Sequence, residues 1–262
     1  MQDVNDERSQ LIIKFINLVV ALNPLMFVME NVPAIEWNKF SQITGNALAK
    51  LTEGIAQIEE HYILSKWLLT ASDYGVPQKR QRAIWVGSKF GKVNAPSPSD
   101  RRFSVGDAIS DLKHIPINSY TDTWECSEKG EYACYLENIF FLQSRIRTNV
   151  VSGCRATVHK TSTQQKYAQT TPGKKEPTTW AYRLSKNGFS PTLRAGSGNR
   201  TAARPIHYEQ ARVITVREAA RLHSFPDWFD FGTSKLAAHK AIGNSVPPLL
   251  AYAIAQTRLM LT

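Results

Sequence analysis

The stretch "LSKWLLTASDYGVPQKRQRAIWVG", residues 64–87, sets an apolar run, a cationic segment and a second apolar run in direct succession. Leu64 to Ala71 reads as a strand, and Ala83 to Val86 as another, with QKRQR as the turn between them. Upstream, Leu25 to Val28 is a third short apolar run, stopping at Glu30-Asn31-Val32-Pro33. Apolar residues recur at helical spacing from Glu7 to Leu22 (Leu11, Ile12, Phe15, Ile16, Val19, Val20), and again over Asn46 to Tyr62. Buried strands separated by helices argue for an α/β sheet.

Downstream the pattern changes. Ser104 opens a short helix, with Asp107 where a capping box would place Glu or Gln. From about His114 to Tyr208 the periodicity dissolves into Thr, Ser, Gly, Pro and Lys, with scattered aromatics (Tyr120, Trp124, Tyr167, Trp180, Tyr182). Helical spacing returns at Thr215 to Leu222 and at Pro247 to Leu261. The predicted organisation is an α/β part over 1–113, an irregular insert over 114–208 and a helical return over 209–262.

Composition narrows the classes. The 262 residues are 42% hydrophobic and 21% charged, an ordinary globular balance that suits one large domain or one and a half. No apolar run approaches the roughly 20 residues of a membrane helix. The opening MQDVNDERSQ does not resemble a secretory signal. Cys126, Cys134 and Cys154 form no CxxC pair, which argues against a disulfide framework or a zinc site and fits a reducing cytoplasm. The net charge of +10 is concentrated. Phe141 to Tyr208 holds twelve Lys or Arg and one acidic residue, Glu176, against twenty basic and twenty-one acidic elsewhere. A one-sided excess of this size points to a polyanion partner.

Four short motifs carry chemistry. MENVP places Glu30 at the carboxyl end of a buried strand, where open α/β sheets hold ligands. QKRQR offers the rigid arginine fork that suits carbonyl and phosphate oxygens. Read alone, Glu30 serves equally as a salt-bridge partner and QKRQR as a solvated turn. "RVITVREAARLHSFPDWFDF" (212–231) and "AIGNSVPPLLAYAIA" (241–255) are far more specific. Together, in this order and over nearly the whole chain, the four resemble the DNA cytosine-5 methyltransferases of bacterial restriction–modification systems. "FSVGDAISDL" (103–112) and "LSKNGFSPTLRAGSG" (184–198) resemble the connectors of that family.

The resemblance implies the C-terminal part of a Rossmann-like methyltransferase sheet, a small, irregular, mostly β target-recognition domain, and a C-terminal helix returning to the sheet. Glu30 would hold or protonate cytosine N3 as the ring is attacked at C6. Arg82, and with it Arg80, would hold the exocyclic carbonyl of a base extruded from the duplex, since the target carbon is out of reach inside the stack. Asn244 and Ser245 would line the S-adenosyl-L-methionine pocket. Arg217 and Glu218 would brace the DNA-facing domain against the sheet. The insert would carry cations for phosphates and polar side chains for base edges. Duplex DNA is the implied partner, with no membrane and no metal, in the bacterial cytoplasm and on the nucleoid when bound.

This sequence departs from the family pattern at the nucleophile. The family uses a cysteine in a Pro-Cys motif, followed by Asp-x-Arg. Asp6-Glu7-Arg8 resembles the second piece, but none of the three cysteines follows a proline. The glycine-rich cofactor loop is missing too, so a complete cofactor pocket needs an N-terminal part beyond this sequence. These gaps imply a split subunit or truncated copy, inactive by itself, and a complementing N-terminal methyltransferase fragment. Two other readings stay open: a non-catalytic DNA-binding remnant, and a transfer-RNA cytosine-5 methyltransferase, against which the large insert argues. If residues 114–208 track phosphates, affinity for duplex DNA falls steeply with salt, with a log–log slope of about −0.9 per phosphate neutralised. Fluorescence anisotropy over a salt series measures that slope, and salt-independent binding would contradict the assignment.

Overall fold

Helix α1 (Glu7–Leu22) leads into strand β1 (Met26–Asn31) and begins a small sheet unit. The structure is a computed structural model that describes residues 7–33, 53–59, 61–140, 149–194 and 204–257. Residues 53–59 are helical (α2); the start of the expected Asn46–Tyr62 helix lies outside the described residues. Strands β2 (Ile63–Thr70) and β4 (Gln81–Ser88) complete the sheet, ordered β1-β4-β2 with both outer strands antiparallel to β4. β1 runs past Val28 through Glu30 to Asn31, because its register with β4 continues to the pair Asn31–Ala83.

Alternation along the strands sorts the sheet faces. Phe27, Ala83 and Trp85 pack under Ile12, Ile16 and Val19 of α1 and Ile58 of α2. Gly87 stands opposite Phe27 in the register, and a Cβ there would overlap the Phe27 ring. The missing side chain is therefore what lets the aromatic ring lie across β4.

The segment between β2 and β4 is not a simple QKRQR turn. Ala71–Tyr74 forms a 3-10 turn, and Gln78–Lys79 forms a short strand, β3, parallel to β7 (Ser190–Pro191). Backbone pairing with a segment far along the chain overrides the local turn chemistry. The compact units accordingly do not follow boundaries at 113/114 and 208/209. One comprises Met1–Thr70, Gln81–Ser97 and Ile254–Thr262; the other comprises Ala71–Arg80 and Pro98–Ala253.

The second unit is irregular across the insert. Its extended pieces are the pair β5 (Trp124–Glu125) with β6 (Val150–Val151) and the strand β7. Two nine-residue helices, α4 (Glu131–Ile139) and α5 (Thr161–Gln169), are not announced by the composition of this stretch. Helix α3 (Val105–Ile109) has the capping box read from Ser104 and Asp107, with both reciprocal bonds made. The two connector motifs meet there: Val105 N–H donates to the Gly188 carbonyl (2.8 Å) and Gly106 N–H to that of Lys186 (2.7 Å). Helix α6 (Val216–Leu222) is capped in the same way by Thr215 and Glu218. Helices α7 (Lys235–Asn244) and α8 (Pro248–Gln256) follow, and from Ile254 the chain groups with the sheet unit.

Gly87→Ala is expected to destabilise the protein by about 1–3 kcal/mol, because the Phe27 ring must leave its position. Adding Phe27→Leu to Gly87→Ala should recover part of that loss. Urea midpoints of the two variants test this; an unchanged midpoint for Gly87→Ala would remove the steric argument.

Candidate active site and nucleic-acid surface

Glu30 and Arg82 share one face of the sheet. Glu30 stands opposite Ile84, which makes Arg82 its diagonal neighbour two residues earlier on β4. The Arg82 Nε lies 2.5 Å from Glu30 Oε1, with side chains 9% and 29% exposed. Arg82 Nη1 also donates to the Gln81 carbonyl at 2.7 Å. Burial lowers the pKa of the Arg82 guanidinium, and the Glu30 charge works against that shift. Arginine stays charged regardless. A part-exposed carboxyl beside a guanidinium can meet a ring that presents a nitrogen next to a carbonyl oxygen.

Arg80 goes elsewhere. It is 1% exposed. Its Nη1 donates to the Leu193 carbonyl (3.0 Å) and its Nη2 to those of Gly243 (2.8 Å) and Ser245 (2.9 Å). Gln78 sits in the same knot: its Nε2 reaches the Leu222 carbonyl (3.1 Å) and His223 Nδ1 (2.9 Å), while its Oε1 accepts from Leu193 N–H (3.0 Å). His223 Nε2 lies 3.1 Å from the Ser245 carbonyl. A carbonyl only accepts, so the proton is on Nε2 and Nδ1 takes the Gln78 amide. Gln78 and His223 escape a motif reading; alternate spacing with Arg80 is the one signal that places Gln78 here.

Asn244 and Ser245 occupy the turn that this knot holds. The flanking carbonyls of Gly243 and Ser245 are fixed by Arg80. Ser245 Oγ donates to the Ile242 carbonyl at 2.8 Å, while Asn244 remains exposed.

Arg217 and Glu218, expected to brace the DNA-facing domain against the sheet, form bonds within the second unit. Arg217 donates to the carbonyls of Ser152 (2.8 Å), Pro226 (3.2 Å) and Phe229 (2.9 Å). Glu218 holds Arg212 through two bonds of 2.7 and 2.8 Å and also accepts from Thr215 N–H at 2.7 Å. Burial would raise the Glu218 carboxyl, but Arg212 outweighs it and brings it to about 2. Arg221, on the same helix, pairs with Asp227 at 2.8 and 2.9 Å and with Asp111. These carboxylates are the reason three arginines of one motif, Arg212, Arg217 and Arg221, can lie buried together.

Two of the three cysteines are packing residues. Cys126 and Cys154 lie in the cluster of Leu112, Ile115 and Val151. Burial pushes both thiols up, Cys154 to about 12, the opposite of what a nucleophilic cysteine needs. Cys134 is exposed on α4. Among the described residues no group of three or more His, Cys, Asp and Glu is placed to hold a metal ion, and no helix is long and apolar enough to cross a membrane. The second unit also contains a cleft of about 540 Å³, lined by Lys79, Lys175, Arg194 and Arg204 with Trp180 and Tyr182.

Comparison with known proteins gives the family. The family model of C-5 cytosine-specific DNA methylases matches residues 1–259. The type II methyltransferase M.XorII of Xanthomonas oryzae is 36% identical over 270 residues, covering 96% of this chain and 62% of that protein. M1.HphI of Haemophilus parahaemolyticus is 31% identical, covering 97% of this chain and 62% of its own length. A crystal structure of a DNA modification methyltransferase encoded within an E. coli prophage superposes with a TM-score of 0.76 at 32% identity, covering 98% of this chain and 75% of that one. The chain thus spans less than two thirds of these two type II relatives.

The buried histidines generate a pH dependence. Burial pushes His207 down to about 4, with Arg212 adding to it and Glu218 opposing; His239 falls to about 3 for the same first reason. The unfolded chain therefore binds protons below about pH 6.5 that the folded chain refuses, and stability present above that pH is lost as it falls towards 4. His207→Asn keeps an acceptor for the Glu209 and Gln210 amides, which now bond Nδ1 at 3.0 and 3.1 Å. It should flatten the loss of urea midpoint between pH 7 and 5; an unchanged slope would contradict the assignment.

Proposed function

The chain belongs to the family of C-5 cytosine-specific DNA methylases, and we propose that its part in that chemistry is to bind duplex DNA and hold the flipped cytosine. The observation that carries this reading is the Glu30–Arg82 pair, 2.5 Å apart on one sheet face with Glu30 part exposed. Glu30 would contact or protonate N3, and Arg82 would hold the adjacent carbonyl. Raising electron demand in the ring at N3 assists attack at C6, a contribution of about 10²–10⁴-fold for a positioned acid. Arg80 would act one step removed, through the backbone of the Asn244 turn. Asn244 and Ser245 would form one edge of the S-adenosyl-L-methionine site, and that donor supplies the electrophilic methyl group. Cations of the insert would track phosphates.

Residues 1–262 contain no Pro-Cys pair. We place the nucleophile and the rest of the cofactor pocket in methyltransferase sequence outside these residues, on the same protein or on a complementing fragment. Covalent activation of the ring needs that thiolate. The two buried cysteines, with raised thiols, favour no substitute. The same observation is what supports a second reading, a DNA-binding chain without catalysis.

Residues 1–262 alone are expected to transfer no tritiated methyl group to duplex DNA. Addition of a family fragment carrying Pro-Cys and the glycine-rich loop should restore incorporation. Glu30→Ala should then lower the restored rate by about 10²–10⁴-fold, while Cys126→Ala, Cys134→Ala and Cys154→Ala leave it largely intact. DNA binding with no restoration would favour the non-catalytic reading, and robust transfer by residues 1–262 alone would overturn the placement of the nucleophile.

A further inference from the structure

We propose that Trp180 is a base-stacking residue, set at the mouth of the cationic cleft to take the face of a nucleobase from a DNA strand whose phosphates follow the cleft. The inference rests on the DNA-binding reading above and names a residue and a contact that the reading leaves open.

The loop that presents Trp180 is tightly built. Lys175 and Tyr182 form an antiparallel bridge at its base. Inside it, Glu176 N–H donates to the Ala181 carbonyl (2.9 Å) and Trp180 N–H to the Glu176 carbonyl (2.8 Å). The Glu176 carboxylate accepts from Thr179 N–H (2.5 Å) and Thr179 Oγ1 (2.7 Å). Closing this loop forces Trp180 to a φ of +60°, a left-handed conformation that suits Gly or Asn and strains a bulky residue. Burial does not compensate, because the residue is 49% exposed. Packing therefore gives no reason for an indole at a position where glycine would be easier.

The surroundings supply a reason. Lys79, Lys175, Arg194 and Arg204 line the cleft with Trp180 and Tyr182, and among the described residues no carboxylate shares that lining. Four cations gathered without a counter-charge repel one another until an anion arrives. Lys175 Nζ lies 5.5 Å from the Trp180 ring centroid, so one loop offers a phosphate contact and an aromatic face together. Cations that follow a backbone beside an aromatic plate for a base are the means by which proteins hold an unpaired nucleotide.

The test compares Trp180→Gly, Trp180→Phe and Lys175→Ala with the unsubstituted chain, by anisotropy on duplex DNA carrying one unpaired nucleotide over a salt series and by thermal melting. Trp180→Gly should melt at the same or a higher temperature, since it relieves the left-handed strain, yet lose about tenfold in affinity with its salt slope unchanged. Trp180→Phe should retain most of the affinity. Lys175→Ala should reduce the salt slope by about one. A Trp180→Gly variant that binds as tightly as the parent overturns the inference while leaving DNA binding in place. A parent chain that fails to bind at low salt overturns the DNA-binding reading itself. Free deoxycytidine monophosphate competing as well as an equal concentration of duplex would overturn the assignment to a strand of DNA.

Discussion

A single buried guanidinium ties together distant segments of the second unit. Arg80 donates to carbonyls at 193, 243 and 245, reaching 113 to 165 residues along the sequence. An arginine in that position cannot be exchanged for lysine, whose point charge lacks the planar fork that meets three carbonyls at once. Removing it would leave two buried acceptors, the Leu193 and Gly243 carbonyls, without this donor, each a loss of about 1–3 kcal/mol. Gln78 and His223 close the same knot from the other side, so four separate chain segments converge on a few backbone groups.

The QKRQR segment divides its labour between the two units. Arg80 lies in the break between β3 and β4, so the alternation of a strand does not carry from it to Arg82. Gln78 and Arg80 belong to the second unit and fix its backbone; Arg82, on the central strand of the sheet, pairs with Glu30. Two arginines of one type, two residues apart, therefore do different work. One has its donors on main-chain carbonyls. The other keeps a carboxylate in place beside solvent.

Much of this was legible in the sequence, and the limits have physical causes. Helix α1 and the three sheet strands follow from apolar spacing alone, because each buries a face that must be apolar. The Ser104 cap was readable because a capping box is local, whereas the equivalent Thr215–Glu218 box emerged only in the structure. The Glu30 and Arg82 positions came from the family motifs, which mark residue types without stating that they form one ion pair. The knot at Arg80 was not legible: its acceptors are main-chain carbonyls, and every residue has one. Helix α7 was missed for another reason, since its buried face (Ala238, His239, Ile242, Gly243) is small or polar rather than strongly apolar. The parallel pairing of β3 with β7 also left no trace, being two residues long on each side.

Charge counted along a sequence also differs from charge available to a ligand. Arg183 contributes to the basic excess of the insert, yet its guanidinium is buried and donates to the carbonyls of Tyr167, Ala168, Thr170, Tyr208 and Glu209. It orders the insert and offers nothing to phosphate. Conversely, Lys79 lies far outside the basic stretch but lines the cleft beside Lys175, Arg194 and Arg204. The buried cations Arg212 and Arg221 are matched by Glu218, Asp227 and Asp111, which accounts for their burial without any polyanion. The charge that a polyanion would meet at this cleft is therefore set by the cations that folding brings to its lining, Lys79, Lys175 and Arg194 exposed and Arg204 half-buried, rather than by the net charge of the insert.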